Sequence, residues 1–181
     1  MESLEEHIYI PADRHAVLET LEQLTRRIIE LSTLEHSAIL GVGVSVWGSV
    51  DPAAGVVYSW TETPGLTTTW KDFAIRDALC ERWSFPHIII DDIVRTLGIA
   101  EVQYGQGLTQ GEDFLFALAD TGIGAAIMLN GTPYIGPNQL AGEIGHIPVN
   151  GGNLPCNCGN VGCLETVASA TSILNRVRQR L

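Results

Sequence analysis

Lysine is almost missing from this 181-residue chain: Lys71 is the only one, and nine arginines supply the remaining cations. Ten cationic side chains face twenty-one acidic ones, a formal net charge of -11. A field of that sign repels phosphate backbones, so no direct nucleic-acid contact is expected from this chain. Long apolar runs are missing too. None approaches the roughly 20 residues of a membrane-spanning helix, so no membrane partner is expected. Residues 1–6 are acidic and no apolar h-region follows, so no secretory signal is read there. Cysteine is scarce, with four in all, and three of them crowd into residues 156–163. That is the pattern of a metal site in a reducing compartment and not of a secreted disulfide framework, and it predicts a cytoplasmic protein.

What is present is a globular composition, with 45% hydrophobic and 17% charged residues and nineteen glycines concentrated in the second half. Residues 12–33 read as an amphipathic helix on the spacing of Val17, Leu18, Leu21, Leu24, Ile28 and Leu31, with Asp13 as N-cap. A strand over 38–46 follows, then a loop from Gly48 through Asp51-Pro52 to Gly55, and a short returning strand over 56–59 that makes a hairpin-like pair. Pro64-Gly65 marks a loop over 62–69. Residues 71–83 read as a helix with Phe73, Leu79, Cys80 and Trp83 toward the core. A buried strand over 87–90 and a helix over 94–104 come next, an alternation that argues for α/β layers. A break at residues 105–111 divides the chain into lobes at 1–110 and 111–181. Beyond it, strands over 114–119 and 125–129 flank the turn Thr121-Gly122-Ile123-Gly124, and Asn130-Gly131 is a hairpin turn. The end reads as one helix with Leu164, Val167, Ile173, Leu174, Val177 and Leu181 on its apolar side.

The segment Cys156-Asn157-Cys158-Gly159-Asn160-Val161-Gly162-Cys163 offers three thiolates in one tight loop that two glycines allow to curl. Zinc takes four such ligands in a tetrahedron, and a closed set of four is structural. His146, ten residues upstream, is the candidate fourth ligand. Three reduced buried cysteines would have no reason to bracket Gly-x-x-Gly. A redox pair would show two residues between its cysteines, whereas Cys156 and Cys158 are separated by one.

The run Ala141-Gly142-Glu143-Ile144-Gly145-His146-Ile147-Pro148-Val149, followed by Cys-x-Cys-Gly-x-x-Gly-Cys-Leu-Glu-x-x-Ala-Ser from Cys156 to Ser169, resembles the signature of the ROK family of repressors and sugar kinases. The resemblance implies an α/β fold of the actin-like, hexokinase type, two-lobed, with sugar and nucleotide between the lobes. It implies Glu143, His146 and Glu165 as sugar-hydroxyl ligands. His146 would bind zinc through one nitrogen and reach the sugar with the other. Thr121, Gly122 and Gly124 resemble the family's second phosphate-binding turn, although Asp120 stands where relatives carry glycine. The kinases' aspartate base falls on Asp92 when counted forward from Pro86, with Asp91 in the asparagine position, and on Ile93 when counted backward from Glu101 and Gly105. The family's Asp-x-Gly-Gly-Thr phosphate turn is absent, and Trp47 replaces the proline of its Pro-Gly-x-Val-Asp loop.

The chain thus resembles a ROK protein without its first strands and its C-terminal part. The expected function is the sugar-sensing part of a ROK transcriptional regulator, binding a sugar or amino sugar over a structural Zn2+ site and not catalytically active as it stands. The alternatives are an ATP- and Mg2+-dependent sugar kinase of the glucokinase or N-acetylmannosamine kinase type, with Asp92 as base, and an inactive truncated member. Sheet edges and faces left open in such a chain favour pairing, which predicts a homo-oligomer.

Overall fold

A computed structural model describes residues 14–59, 70–105 and 111–180. The expected cap at Asp13, the loop at Pro64-Gly65 and the contact of Leu181 lie outside them. By compactness the chain divides into Met1–Asp91 and Asp92–Leu181. The division falls earlier than the boundary read at residues 105–111, because the helix beginning at Ile93 packs on the sheet that follows it.

In the first unit, α1 (Arg14–Ser32) buries only Val17 and Leu18. These join Val46, Val50, Val57, Trp70, Ile75, Leu79, Trp83, Ile88 and Ile90 in one core. The farther half of the apolar stripe on α1, with Ile28 and Leu31, is exposed. Strand β1 (Val42–Val46) is shorter than expected: His36–Ala38 forms a 3-10 turn, and β1 lies beside β5 (Ile88–Asp92). The hairpin is made by β2 (Ser49–Asp51) with β3 (Val56–Ser59), antiparallel, so the returning strand does not pair with β1. Gly55, at φ 69°, closes its turn and donates to the Asp51 carbonyl at 2.7 Å.

The helix read over 71–83 is a mixture. Residues Lys71–Phe73 form strand β4, paired with β3 as Val57↔Phe73, and only Ile75–Cys80 is helical, as α2. An edge open on β3 outweighs the local helical pattern, the usual way that pairing overrides propensity. Leu79 and Trp83 are buried as expected, whereas Cys80 is exposed and does not join the core.

In the second unit, α3 (Ile93–Tyr104) lies on an antiparallel sheet of β6 (Phe114–Ala119), β7 (Ile123–Leu129) and β8 (Thr132–Tyr134). Asn130 and Gly131 join β7 to β8 with φ values of 52° and 72°, the left-handed pair that a two-residue hairpin turn requires. The core gathers Val94, Ala126 and Met128, with Ile99, Val102, Phe114 and Phe116 around them. The terminal helix is broken into α4 (Leu164–Ala168) and α5 (Ala170–Arg178) at Ser169. Ser169 is extended and its hydroxyl accepts from Ser172 N at 3.2 Å, so it caps α5 instead of continuing α4. Ile173, Leu174 and Val177 on α5 are exposed.

Gly98 sets how closely α3 approaches β7. A Cβ there would stand 2.9 Å from the Ala126 Cβ and 3.2 Å from the Met128 sulfur. The substitution Gly98→Ala is expected to cost about 1–3 kcal/mol by overpacking, more than the roughly 1 kcal/mol of helix propensity it adds. Urea unfolding checks this, and a stabilised variant would place α3 farther from the sheet.

Candidate metal centre and ligand site

The first turn of β7 is where the pieces of the site meet. Two glycines bring the segment 142–146 against its backbone. A Cβ on Gly142, which has φ 98°, would lie 1.9 Å from the Ala125 carbonyl oxygen, and one on Gly145 would lie 2.1 Å from that of Ile123. Ala125 N donates to Gly142 O at 2.8 Å, and Ile123 N donates to Glu165 Oε2 at 2.8 Å. From the other side Val94 of α3 fills the space in front of Gly124. Residues distant in sequence, on α3, the 142–146 turn and α4, are thereby held at one strand end.

The cysteine loop hangs from the same turn. Pro148 bridges Cys163, Val149 N donates to Gly162 O at 2.8 Å, and Leu164 N donates to Ile147 O at 2.9 Å. Within the loop Pro155 bridges Val161 and Cys156 N donates to Asn160 O at 2.8 Å, with Gly159 and Gly162 at φ 92° and 79°. The Sγ atoms of Cys156, Cys158 and Cys163 and a ring nitrogen of His146 all lie within 4.8 Å of one another. Among the described residues no other group of His, Cys, Asp and Glu is gathered this way.

These distances can be tested against a tetrahedral ion. Zinc–sulfur bonds of about 2.3 Å and zinc–nitrogen bonds of about 2.0 Å put two sulfurs about 3.8 Å apart and a sulfur and a nitrogen about 3.5 Å apart. The separations are 3.7 Å for Cys158 Sγ to Cys163 Sγ and 3.5 Å for Cys156 Sγ to His146 Nδ1. The donors fit a metal of this kind. Burial pushes the Cys163 thiol up to about 12 and raises that of Cys156 as well. Burial also acts on Cys158, but hydrogen bonds from the Asn160 backbone and the neighbouring thiols outweigh it and bring that thiol below its ordinary value. A central cation inverts such a balance, because thiolates are its ligands.

With Nδ1 turned to the sulfurs, His146 presents Nε2 to Glu143, 3.7 Å from Oε2. Glu143 keeps 41% of its side chain open to solvent. Its carboxyl is nonetheless raised, first by burial within the crowded turn and further by the charges of Asp92 and Glu165, while His146 and Arg95 pull it back. Glu143 thus feels the charges of Asp92, Arg95, His146 and Glu165 together. Glu165 commits one oxygen to Ile123 N and is half-buried.

Asp92 ends β5 and caps α3: its Oδ1 accepts from Val94 N at 2.9 Å and from Arg95 N at 3.0 Å. Ile93 opens the helix, which runs to Tyr104 with no π-turn. Of the glycine turn, Thr121 is exposed and Gly122 buried, but Ile123 and Gly124 belong to β7. Asp120 N donates to Gly122 O at 2.9 Å and Asp120 O accepts from Ala170 N at 2.8 Å. Arg95 is the member of this group that sequence reasoning missed. Its signal was a lone cation inside the apolar run Ile93-Val94-Arg95-Thr96-Leu97.

Comparison with known proteins gives a consistent picture. A family model described as the ROK family matches residues 1–181. A glucokinase of Halalkalibacterium halodurans is 38% identical over 138 residues, covering 76% of this chain and 40% of that protein. The DNA-binding transcriptional dual regulator NagC of Escherichia coli K12 is 33% identical over 174 residues, covering 96% of this chain and 41% of that protein. A crystal structure of a ROK family glucokinase from Streptomyces griseus, in complex with glucose and AMPPNP, superposes with a TM-score of 0.79 at 22% identity, covering 96% of this chain and 52% of that one. The fold is therefore the actin-like α/β fold expected, and this chain spans 40–41% of the length of these two curated relatives.

The close approach at Gly145 generates the sharpest structural prediction. The substitution Gly145→Ala drives a Cβ into backbone, which cannot rotate away, and is expected to destabilise by about 3 kcal/mol or more and to weaken metal retention. Gly43→Ala, whose Cβ would meet nothing within 4 Å, is the matched control. Thermal unfolding with metal analysis of both variants checks this, and equal behaviour of the two would contradict the packing described.

Proposed function

This chain belongs to the ROK family, and from that premise we propose that it is the sugar-sensing part of a ROK transcriptional regulator, cytoplasmic and built over one structural zinc ion. Glu143 and Glu165 accept hydrogen bonds from neighbouring hydroxyls of a sugar or amino sugar. His146, fixed by its metal-side nitrogen, presents Nε2 to a further hydroxyl. Zinc held by His146, Cys156, Cys158 and Cys163 supplies rigidity and no chemistry.

The observation that carries the reading is the gathering of Glu143, His146 and Glu165 beside a cluster of four donors that lie within 4.8 Å of one another. Sensing in preference to phosphorylation is supported by the surroundings of Thr121, Gly122 and Gly124. Phosphate cradles work through outward backbone N–H groups and nearby cations. Here Ile123 N is taken by Glu165, Gly124 faces Val94, Asp120 adds a negative charge, and residues 96–175 contain no lysine or arginine. The acidic chain offers DNA no footing of its own.

The second reading is an ATP- and Mg2+-dependent kinase of the glucokinase or N-acetylmannosamine kinase type. It is favoured by the 38% identity to a glucokinase and by Asp92 lying within electrostatic reach of Glu143, where it would accept a hydroxyl proton. An inactive family member is the third. The exposed apolar residues of α5 favour self-association as a homo-oligomer, which sedimentation tests.

Two measurements decide. Purified, reduced protein is expected to carry one zinc per chain by mass spectrometry, and a strong chelator to lower its melting temperature; metal-free protein of unchanged stability would refute the zinc site. Titration with a panel of hexoses and N-acetylhexosamines is expected to show binding without ATP and no turnover with it. Turnover would establish the kinase, and neither binding nor turnover the inactive member.

A further inference from the structure

The thiols of the cysteine loop are not equally placed. Cys163 is fully enclosed, and its sulfur donates to the His146 carbonyl oxygen at 3.5 Å. Its neighbours are pinned. Pro148 bridges Cys163, Leu164 N donates to Ile147 O, and a Cβ on Gly162 would stand 2.6 Å from the Gly152 carbonyl oxygen. Cys158 lies at the opposite extreme. Residues 157–161 are all exposed, and a Cβ on Gly159 would meet nothing within 4 Å. The exposed sulfur at the tip is nevertheless 3.7 Å from the enclosed one at the base. A disulfide is about 2.05 Å long, so rotation of the Cys158 side chain with a small motion of the open tip closes the gap.

An accessible sulfur with a second sulfur beside it is the arrangement of a redox-responsive thiol and its resolving partner. Resting on the zinc and sugar-site readings above, we propose that Cys158 and Cys163 are such a pair, through which hydrogen peroxide disassembles the metal site and releases His146. The Cys158 thiolate attacks one peroxide oxygen: an S–O bond forms, the O–O bond breaks, hydroxide leaves, and Cys158 becomes a sulfenic acid. The Cys163 thiolate then attacks the Cys158 sulfur: the S–S bond forms, the S–O bond breaks, and a second hydroxide leaves. The two sulfurs give up two electrons, the peroxide takes both, and the metal keeps its charge. Two of the four donors are then spent in the disulfide, and Cys156 with His146 cannot complete a tetrahedron. His146 loses the anchor on its Nδ1 side, and with it the fixed direction of Nε2 toward Glu143. Transient disulfides of this kind are the ones that serve sensing in reducing compartments.

The test uses the full zinc-loaded chain carrying Cys80→Ser, because Cys80 is the other exposed thiol and lies outside the cluster. Hydrogen peroxide is added in steps, released zinc is read with a chromophoric chelator, and the linkage is identified by peptide mapping. One zinc is expected to leave per disulfide formed, with Cys158 joined to Cys163, and dithiothreitol with added zinc is expected to reverse both. Zinc retained at a peroxide dose that oxidises Cys80 of the parent chain overturns the proposal. So does zinc lost without a disulfide, or a disulfide that includes Cys156. Calorimetric titrations with glucose and N-acetylglucosamine, before oxidation, after it and after reduction, supply the second arm. Oxidation is expected to weaken binding of whichever probe the reduced chain takes by roughly tenfold or more, the scale on which support of a metal site is felt, with recovery on reduction. Unchanged binding by the zinc-free disulfide form overturns the link to His146. If the reduced chain binds neither probe, the sugar-site reading fails for these sugars, while zinc release and mapping still decide the role of the pair.

Discussion

Everything in the second unit hangs on how closely the 142–146 turn can lie against the backbone of β7. Ala125 N and Gly142 O form the hydrogen bond that fixes the turn, and Gly142 and Gly145 leave the room for it. With that contact in place, His146 is carried to the cysteine loop, and Glu143 is carried to the acids of α3 and α4. A side chain at either glycine would have to displace main chain, so the constraint is steric and local, yet it decides where four separate segments meet.

The metal cluster and the acid cluster are one arrangement because they share His146. Nδ1 lies on the sulfur side at 3.5 Å from Cys156, and Nε2 on the carboxylate side at 3.7 Å from Glu143. A ring held by an ion on one edge cannot swing, so its other edge keeps a defined direction, which a hydroxyl-binding site needs and a solvent-exposed histidine lacks. The bridge from Pro148 to Cys163 and the bond from Leu164 N to Ile147 O then carry that rigidity into α4, where Glu165 sits two residues beyond the last thiolate.

How far this could be read from the chain depended on the range of the forces involved. The thiolate loop was legible because its glycines and cysteines act within eight residues, from 156 to 163, and the Asn130-Gly131 turn because its backbone demand is wholly local. Glu143, His146 and Glu165 were legible only through the resemblance to the ROK signature. Nothing in their spacing predicts that Glu165 would spend an oxygen on Ile123 N, 42 positions away. The helix expected over 71–83 failed where pairing with β3 took its first residues, and the terminal helix broke at Ser169, a residue whose hydroxyl caps as readily as it is tolerated within a helix. Arg95 escaped notice because a periodic pattern scores a single cation as a surface residue, and only its enclosure shows otherwise.

The charge of the site bears on what it can do. Holding a neutral polyol asks for acceptors at fixed positions, and crowded carboxylates serve this as long as something offsets their mutual repulsion. Transferring a phosphoryl group asks for the opposite field, since negative charge spreads over the transferred group and must be met by cations and outward N–H dipoles. Around the strand end that gathers this site, the fixed charges are Asp92, Glu143 and Glu165 against Arg95, with Asp120 at the tip of the neighbouring turn. Arg95 is buried, and its positive charge acts on Glu143. On the proposed reading such a site recognises hydroxyls better than it gathers phosphates, an asymmetry that rests on the lack of any lysine or arginine between residues 96 and 175.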